Sequence, residues 1–264
     1  MSFYFPDKEA FANIGLQKDA IFFYNETDST NTRAREAFLN SDSPESMLFM
    51  ANGQTSGRGT RQRSFESPKG KGLYFSLLFC PEETDYDGSL ITPLTAAAVF
   101  DSLLLLLGSK LCENAFIKWV NDVYFGSKKI AGILAERVIR TDGKVGYIIG
   151  VGINLCGDDF SAELKRIASS IEKITGVTLD KERLLFEITK RLLAALPSPE
   201  NSPLLSIYRE RMIPEGTPIT VKDGMGISRE ARVRGLDERF RLYVEYSDGI
   251  RETLVSGDIS VKIN

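Results

Sequence analysis

Histidine is absent from this 264-residue chain, which excludes a Ser-His-Asp triad, a histidine general base and a zinc site of the usual kind. Cysteine is scarce. Cys80, Cys112 and Cys156 are odd in number, scattered, and show no Cys-x-x-Cys spacing, which argues against a disulfide framework, and a reducing, cytoplasmic setting is expected. Cys156 lies near a polar turn, has no histidine to activate it, and is expected to be a small buried hydrophobe. A surplus of positive charge is also missing: 33 Lys and Arg face 36 Asp and Glu, a net charge of −3. Bulk electrostatic capture of nucleic acid is therefore not expected. Residues 1–10 carry Pro6, Asp7, Lys8 and Glu9 where an export signal needs an apolar centre. The greasiest run, residues 96–107, is broken by Asp101 and reads as too short to span a bilayer. No membrane partner is expected.

What is present begins with a local concentration of charge. Gly53, Gly57, Gly59, Gly70 and Gly72 alternate with Arg58, Arg61, Arg63, Lys69 and Lys71 against the single acid Glu66. Glycines let a backbone approach a ligand closely, and guanidinium groups supply fixed, forked positive charge. That combination suits a nucleotide phosphate, although a solvated surface loop has the same composition.

Around this loop the pattern alternates between strand and helix. Short strands are expected at 21–24, 47–51, 73–79, 115–119, 130–139 and 146–154. A helix begins at Asp28-Ser29-Thr30-Asn31 and runs to about Leu39, gathering polar side chains and unpaired N–H groups at one end, as an anion site does. The apolar run to Leu107, with Thr92 as N-cap and Pro93 in the first turn, is expected to be a helix buried nearly all round. Helical periodicity returns at 168–175, 181–196 and 204–212. From Thr217 short alternating strands are separated by Asp223-Gly224, Leu236-Asp237, Asp248-Gly249 and Gly257-Asp258, so a small β-barrel or sandwich should follow an α+β body. Basic and acidic residues balance in that segment, and a phosphate-tracking surface is not indicated.

Five motifs occur in a fixed order: Asp28-Ser29-Thr30-Asn31, Gly57-Arg58-Gly59-Thr60-Arg61-Gln62-Arg63, Lys118-Trp119-Val120-Asn121-Asp122, Lys129-Ile130-Ala131-Gly132-Ile133-Leu134-Ala135-Glu136, and Gly150-Val151-Gly152-Ile153-Asn154. In order and wording they resemble the biotin protein ligases over nearly the whole chain. The resemblance implies an α+β fold: a mixed β-sheet catalytic domain packed with helices over residues 1–213, and a small C-terminal SH3-like β-barrel over 214–264. It implies an activity in which biotin is activated by Mg-ATP as biotinyl-5′-AMP and passed to a lysine of a biotin carboxyl carrier domain, with ATP and Mg²⁺ as cofactors.

Carried over motif by motif, the resemblance makes Lys129, Arg58 and Asp122 the catalytic residues. It places Ser29, Thr30, Asn31, Gln54, Gly57, Arg58, Gly59, Thr60, Lys129 and Gly132 around biotin. Arg61, Arg63, Trp119, Asn121 and Asn154 fall to the nucleotide, and Asp122 is the one candidate for Mg²⁺. From the residues alone, Ser29 and Thr30 serve equally as helix caps, and Trp119 as core packing. Thr60 stands where many members carry a further arginine, Gln62 where glycine is frequent, and Val120 where proline is frequent. Too few residues precede the first strand for a helix-turn-helix module, so no DNA partner is expected. A monomer and a homodimer are equally compatible with the resemblance. Two rivals stand beside this reading: a lipoate or octanoate ligase or transferase of related fold, whose triple-glycine and His-Asp signatures are absent here, and a non-catalytic nucleotide-binding module.

Overall fold

The computed structural model describes residues 7–41, 45–83, 86–157, 160–222, 227–255 and 258–261. The larger of two sheets is built from β1 (Ile21–Tyr24), β2 (Met47–Ala51), β3 (Gly72–Phe79), β4 (Ala115–Lys118), β5 (Asp122–Phe125), β6 (Lys128–Ile139) and β7 (Val145–Asn154). Their spatial order is β1-β2-β3-β7-β6-β5-β4. β1 pairs with β2 in parallel and the other neighbours are antiparallel, so the sheet is mixed. Alternation sends successive side chains to opposite faces. Leu48, Leu77 and Ile149 therefore enter the main core, while Phe49, Leu78 and Ile148 meet the other face.

Helices cover both faces. A short α1 (Lys8–Ala12) precedes β1, and α2 (Thr30–Asn40) lays Ala34 and Phe38 on the second face. The main core is closed by α3 (Ile91–Leu107), with the short α4 (Leu164–Ile167) and α5 (Ile171–Thr175) preceding α6 (Lys181–Ala195) and α7 (Leu204–Arg211). Thr92 is not the cap of α3. Asp87 instead accepts the Ser89 N–H and opens a 3₁₀ turn over Gly88–Leu90 that runs directly into the helix, where Pro93 is tolerated in the first turn. The combined segment Gly88–Leu107 reaches 20 residues, long and apolar enough to cross a membrane by length and composition, which corrects the shorter run read from sequence. It packs between the sheet and α6 and α7, as a core helix does. Helix α5 starts at Ile171, later than the periodicity suggested, with Ser170 as its N-cap.

The second sheet contains β8 (Pro218–Lys222), β9 (Ser228–Leu236), β10 (Leu242–Tyr246), β11 (Arg251–Leu254) and β12 (Asp258–Val261), in the antiparallel order β11-β10-β9-β8-β12. Ile219, Val221, Val233, Leu242, Val244 and Ile259 form its interior, and the fold is SH3-like. The turns at Leu236-Asp237 and Asp248-Gly249 separate strands as expected. Asp223-Gly224 and Gly257 lie outside the described residues.

One turn fastens this barrel to the body. The Phe240 carbonyl accepts the Trp119 indole N–H at 3.0 Å, its ring meets Tyr208 edge-on at 5.7 Å, and the Arg209 guanidinium lies 4.2 Å above it. Tyr208 in turn donates to the Val120 carbonyl at 3.1 Å. Asp237 holds the turn by accepting the N–H groups of Arg239 and Arg241 and the Arg241 Nε. Burial works to raise the Asp237 pKa, but these hydrogen bonds and the Arg241 charge outweigh it and leave the carboxyl below its ordinary value. A depressed folded-state pKa gives stability that is present above the unfolded value and lost as pH falls through the folded one. Asp237→Asn is accordingly expected to flatten the decline of the thermal midpoint below about pH 4, the ordinary aspartate range. Calorimetry from pH 6 to pH 3 checks it, and an unchanged slope would mean that Asp237 does not carry the effect.

Candidate functional site

A cavity of about 210 Å³ lies over the α2 face of the sheet, between the start of α2, the loop after Asn52 and the segment around α4. Its floor exists because three glycines occur in register. Gly132 on β6 pairs with Gly152 on β7, and Gly150 lies two positions further on the same face. A Cβ at Gly152 would stand 2.5 Å from the Phe65 ring, and one at Gly150 would stand 2.2 Å from Asn31 Oδ1. Side chains have been removed from the floor so that Phe65 and Asn31 can reach the sheet.

The polar wall at the start of α2 is a connected network. Gln54 Oε1 accepts from the Thr30 N–H at 2.8 Å and lies 3.2 Å from its hydroxyl, while Gln54 Nε2 donates to Ser67 Oγ at 2.8 Å. Ser76 Oγ, fully buried in β3, lies 2.7 Å from Thr30 Oγ1 and 2.6 Å from Asn31 Oδ1. Ser29 occupies the N-cap position of α2 but its side chain makes no capping bond. Its hydroxyl is thus not committed to the cap, and it lines the cavity with Thr30 and Gln54. Asn31 also reaches the wall, but its amide is engaged on both sides, by Ser76 and by Glu136 Oε2 at 2.8 Å. These bonds join α2 to β3 and β6.

The basic loop is a tight hairpin. Gly59 N–H donates to the Arg63 carbonyl at 2.7 Å and Phe65 N–H to the Gly57 carbonyl at 2.9 Å. Gly57 lies behind the cavity wall, where a Cβ would come within 2.3 Å of the Phe65 carbonyl oxygen; only glycine fits that approach. Thr60–Gln62 makes a 3₁₀ turn with Arg61 at φ 56, a conformation uncommon for a side-chain-bearing residue. Arg58, Gly59, Thr60, Arg61 and Arg63 all line the cavity. Opposite them, Lys129 Nζ lies 2.6 Å from Asp122 Oδ1, the two side chains 26% and 14% exposed. Trp119, Asn121 and Asn154 complete the wall nearby. Asn121 also donates to the Ile133 carbonyl and so clamps the turn before β5 to β6.

Several contributors escaped the sequence reading. Ser76 looked like one more residue of an apolar strand, and Phe65 like loop. Glu136 closes the lysine motif and accepts from Asn31, Arg35 and Arg58. Phe160, Leu164, Ile167 and Ala168 form an apolar lip, and Ile259 reaches the cavity from the barrel. That last contact, with the Trp119–Phe240 bond, makes the C-terminal barrel a neighbour of the cavity. Among the described residues no group of three or more His, Cys, Asp or Glu gathers as a metal site.

The chain matches the model of the biotin/lipoate A/B protein ligase family over residues 23–154. The chain belongs to this family. The matched segment carries the strands and loops that form the polar wall, the basic hairpin and the glycine floor. Among relatives of this ligase family, the bifunctional ligase/repressor BirA of Bacillus spizizenii is 29% identical, over 96% of this chain and 78% of its own length. The biotin--[acetyl-CoA-carboxylase] ligase of Paracoccus denitrificans is 29% identical, over 75% of this chain and 83% of its own. Among solved structures, a biotin protein ligase from Aquifex aeolicus in complex with biotin and ATP superposes with a TM-score of 0.73 at 26% identity, covering 92% of this chain and 99% of that one.

Proposed function

We propose that this biotin ligase works in two steps. A biotin carboxylate oxygen attacks the α-phosphorus of ATP and the bond to pyrophosphate breaks, giving biotinyl-5′-AMP. The neutral ε-amine of a carrier-domain lysine then attacks the acyl carbon, the amine loses its proton, and AMP leaves. The observation that carries the reading is the meeting of Lys129, Asp122 and three arginines of one hairpin around a glycine-floored cavity. Two anions must approach each other in the first step, and fixed positive charge is what makes that approach possible without histidine. In this reading Lys129 contacts both carboxylate and phosphate, with Asp122 holding its ammonium.

Ser29, Thr30 and Gln54 offer neutral hydrogen-bonding groups suited to the ureido ring of biotin, and Gly132 lets the ligand lie on the sheet. Arg61, Arg63, Trp119 and Asn154 border the space left for the nucleotide. Asp122 is a single carboxylate already paired with Lys129, too little for a resident metal site. It suffices as one added ligand for a Mg²⁺ that arrives on the phosphates of ATP. The three free thiols accord with a reducing compartment. ATP–pyrophosphate exchange tests the whole reading: exchange should depend on biotin and not on lipoate or octanoate. Exchange with the other acids, or none with biotin, would overturn it.

Thr60 supports a narrower prediction. It lines the cavity with a hydroxyl, where a guanidinium would bring charge to the carboxyl-phosphate region. A charge-assisted hydrogen bond contributes roughly 1.5 to 3 kcal/mol against about 1 for a neutral one. Thr60→Arg is expected to slow release of biotinyl-adenylate in the absence of carrier, with less effect on biotin binding alone. Stopped-flow dissociation of the preformed adenylate measures it; unchanged or faster release would show that Arg58, Arg61 and Arg63 already complete the site.

A further inference from the structure

Glu136 stands at the far end of the lysine motif, on the face of β6 that meets α2. Its side chain is 15% exposed, and its two oxygens are fully used. Asn31 Nδ2 donates to Oε2 at 2.8 Å, Arg35 Nη2 to Oε1 at 3.1 Å, and Arg58 lies across both oxygens, with Nη1 at 3.2 Å and Nη2 at 3.1 Å. Asn31 is in turn held by the buried Ser76 and seated on Gly150. The carboxylate is therefore anchored to the sheet and to α2, whereas Arg58 belongs to a hairpin whose described backbone bonds from Gly57 to Phe65 are internal, such as Gly59 to Arg63 and Phe65 to Gly57, the backbone ties to the start of α2 falling just before it at Thr55 and Ser56.

We infer that Glu136 is a positioning residue for adenylation: it fixes the plane of the Arg58 guanidinium and pins the basic hairpin to β6 and α2. The forked pairing occupies Nη1 and Nη2, which leaves the Nε–H edge of Arg58 directed elsewhere. A guanidinium held in this way has lost its rotamer freedom before an anion arrives, so the cost of ordering it is not charged against substrate binding. Arg35 shares the carboxylate, but it projects from α2 and does not border the cavity. Asn31 also donates to the carboxylate and reaches the cavity, so the effect specific to the Glu136 charge, with an acceptor for Asn31 retained, should run through Arg58.

This inference rests on the adenylation reading, and a double-mutant cycle tests it. Glu136→Gln keeps the volume and an acceptor for Asn31 but removes the charge. It should slow formation of biotinyl-adenylate by on the order of tenfold or more, the size of effect produced by a misplaced catalytic group. In the Arg58→Ala background the same change should alter the rate less than about twofold, because coupled residues are not additive. Arg35→Ala should leave the rate near the parental value. An equal loss from Glu136→Gln with and without Arg58 overturns the inference, since a merely structural carboxylate would act in both. Hydrogen exchange at the backbone amides of residues 57–65, measured without ligand, gives a second readout that needs no turnover. Exchange should accelerate to the same degree in Glu136→Gln, in Arg58→Ala and in the double variant, and unaltered exchange in Arg58→Ala also overturns the pinning. If the parental protein forms no adenylate, the proposed activity fails while the exchange experiment still decides whether Glu136 holds the loop.

Discussion

Lys129→Ala is expected to reduce biotin-dependent adenylation by on the order of 10²-fold or more, the usual size for removing a preorganised stabiliser of transition-state charge. The structure gives this expectation its geometry. Lys129 sits at the start of β6 with its ammonium 2.6 Å from Asp122, beside Gly132, where a Cβ would come within 3.0 Å of Nζ. The ammonium is held over the glycine floor instead of extending into solvent. Loss of the side chain leaves Asp122 without its cation, so the variant should also repel the phosphates of ATP, and the loss should fall on the bond-forming step more than on biotin binding. Single-turnover formation of biotinyl-adenylate, with calorimetric titration of biotin alongside, separates the two. A parental rate in the variant would remove Lys129 from the chemistry. A rate loss matched by an equal loss of biotin affinity would make it a binding residue only.

How much of this was legible in the sequence depends on the distance over which each feature is encoded. Strand β3 and helix α6 are local patterns, an apolar run and a 3.6-residue period, and they appear close to where those patterns place them. Strand β5 has four residues and begins at Asp122, inside an Asn121-Asp122 dipeptide that reads as a turn, so nothing local announced it. The start of α3 was hidden because Thr92 is a good cap residue, while the cap actually used, Asp87, belongs to the 3₁₀ turn before it.

The site divides in the same way. The basic hairpin and the lysine motif are contiguous and could be read as chemistry. The bond between Arg58 and Glu136 joins positions 78 apart, and the contact of Ser76 with Asn31 joins positions 45 apart; only the fold brings these together. Polar residues in apolar strands, such as Ser76, are the one signal that could have pointed there, because a buried hydroxyl requires a partner.

Gly150→Ala should be strongly damaging for the addition of a single methyl. Its Cβ would stand 2.2 Å from Asn31 Oδ1, 2.9 Å from Asn31 Cγ and 3.0 Å from Asn31 Nδ2. Asn31 cannot retreat cheaply, because it is 4% exposed and tied to Ser76 at 2.6 Å and to Glu136 at 2.8 Å. Either the β7 backbone shifts away from α2 or the amide leaves its partners. Overpacking of this kind costs about 1 to 3 kcal/mol, and each buried polar group left unsatisfied costs about 1 to 3 kcal/mol more. Urea unfolding should therefore show a loss on the order of 3 kcal/mol, and adenylation should fall in the fraction that remains folded, since Glu136 and Thr30 both depend on this corner of α2. Removing the obstruction tests the cause. Asn31→Ala is destabilising by itself, but with that amide gone the penalty for Gly150→Ala should shrink to well under half of its value in the parental background. If the penalty persists undiminished, the clash is with the backbone of the sheet and the glycine at this position serves strand pairing instead of making room for Asn31.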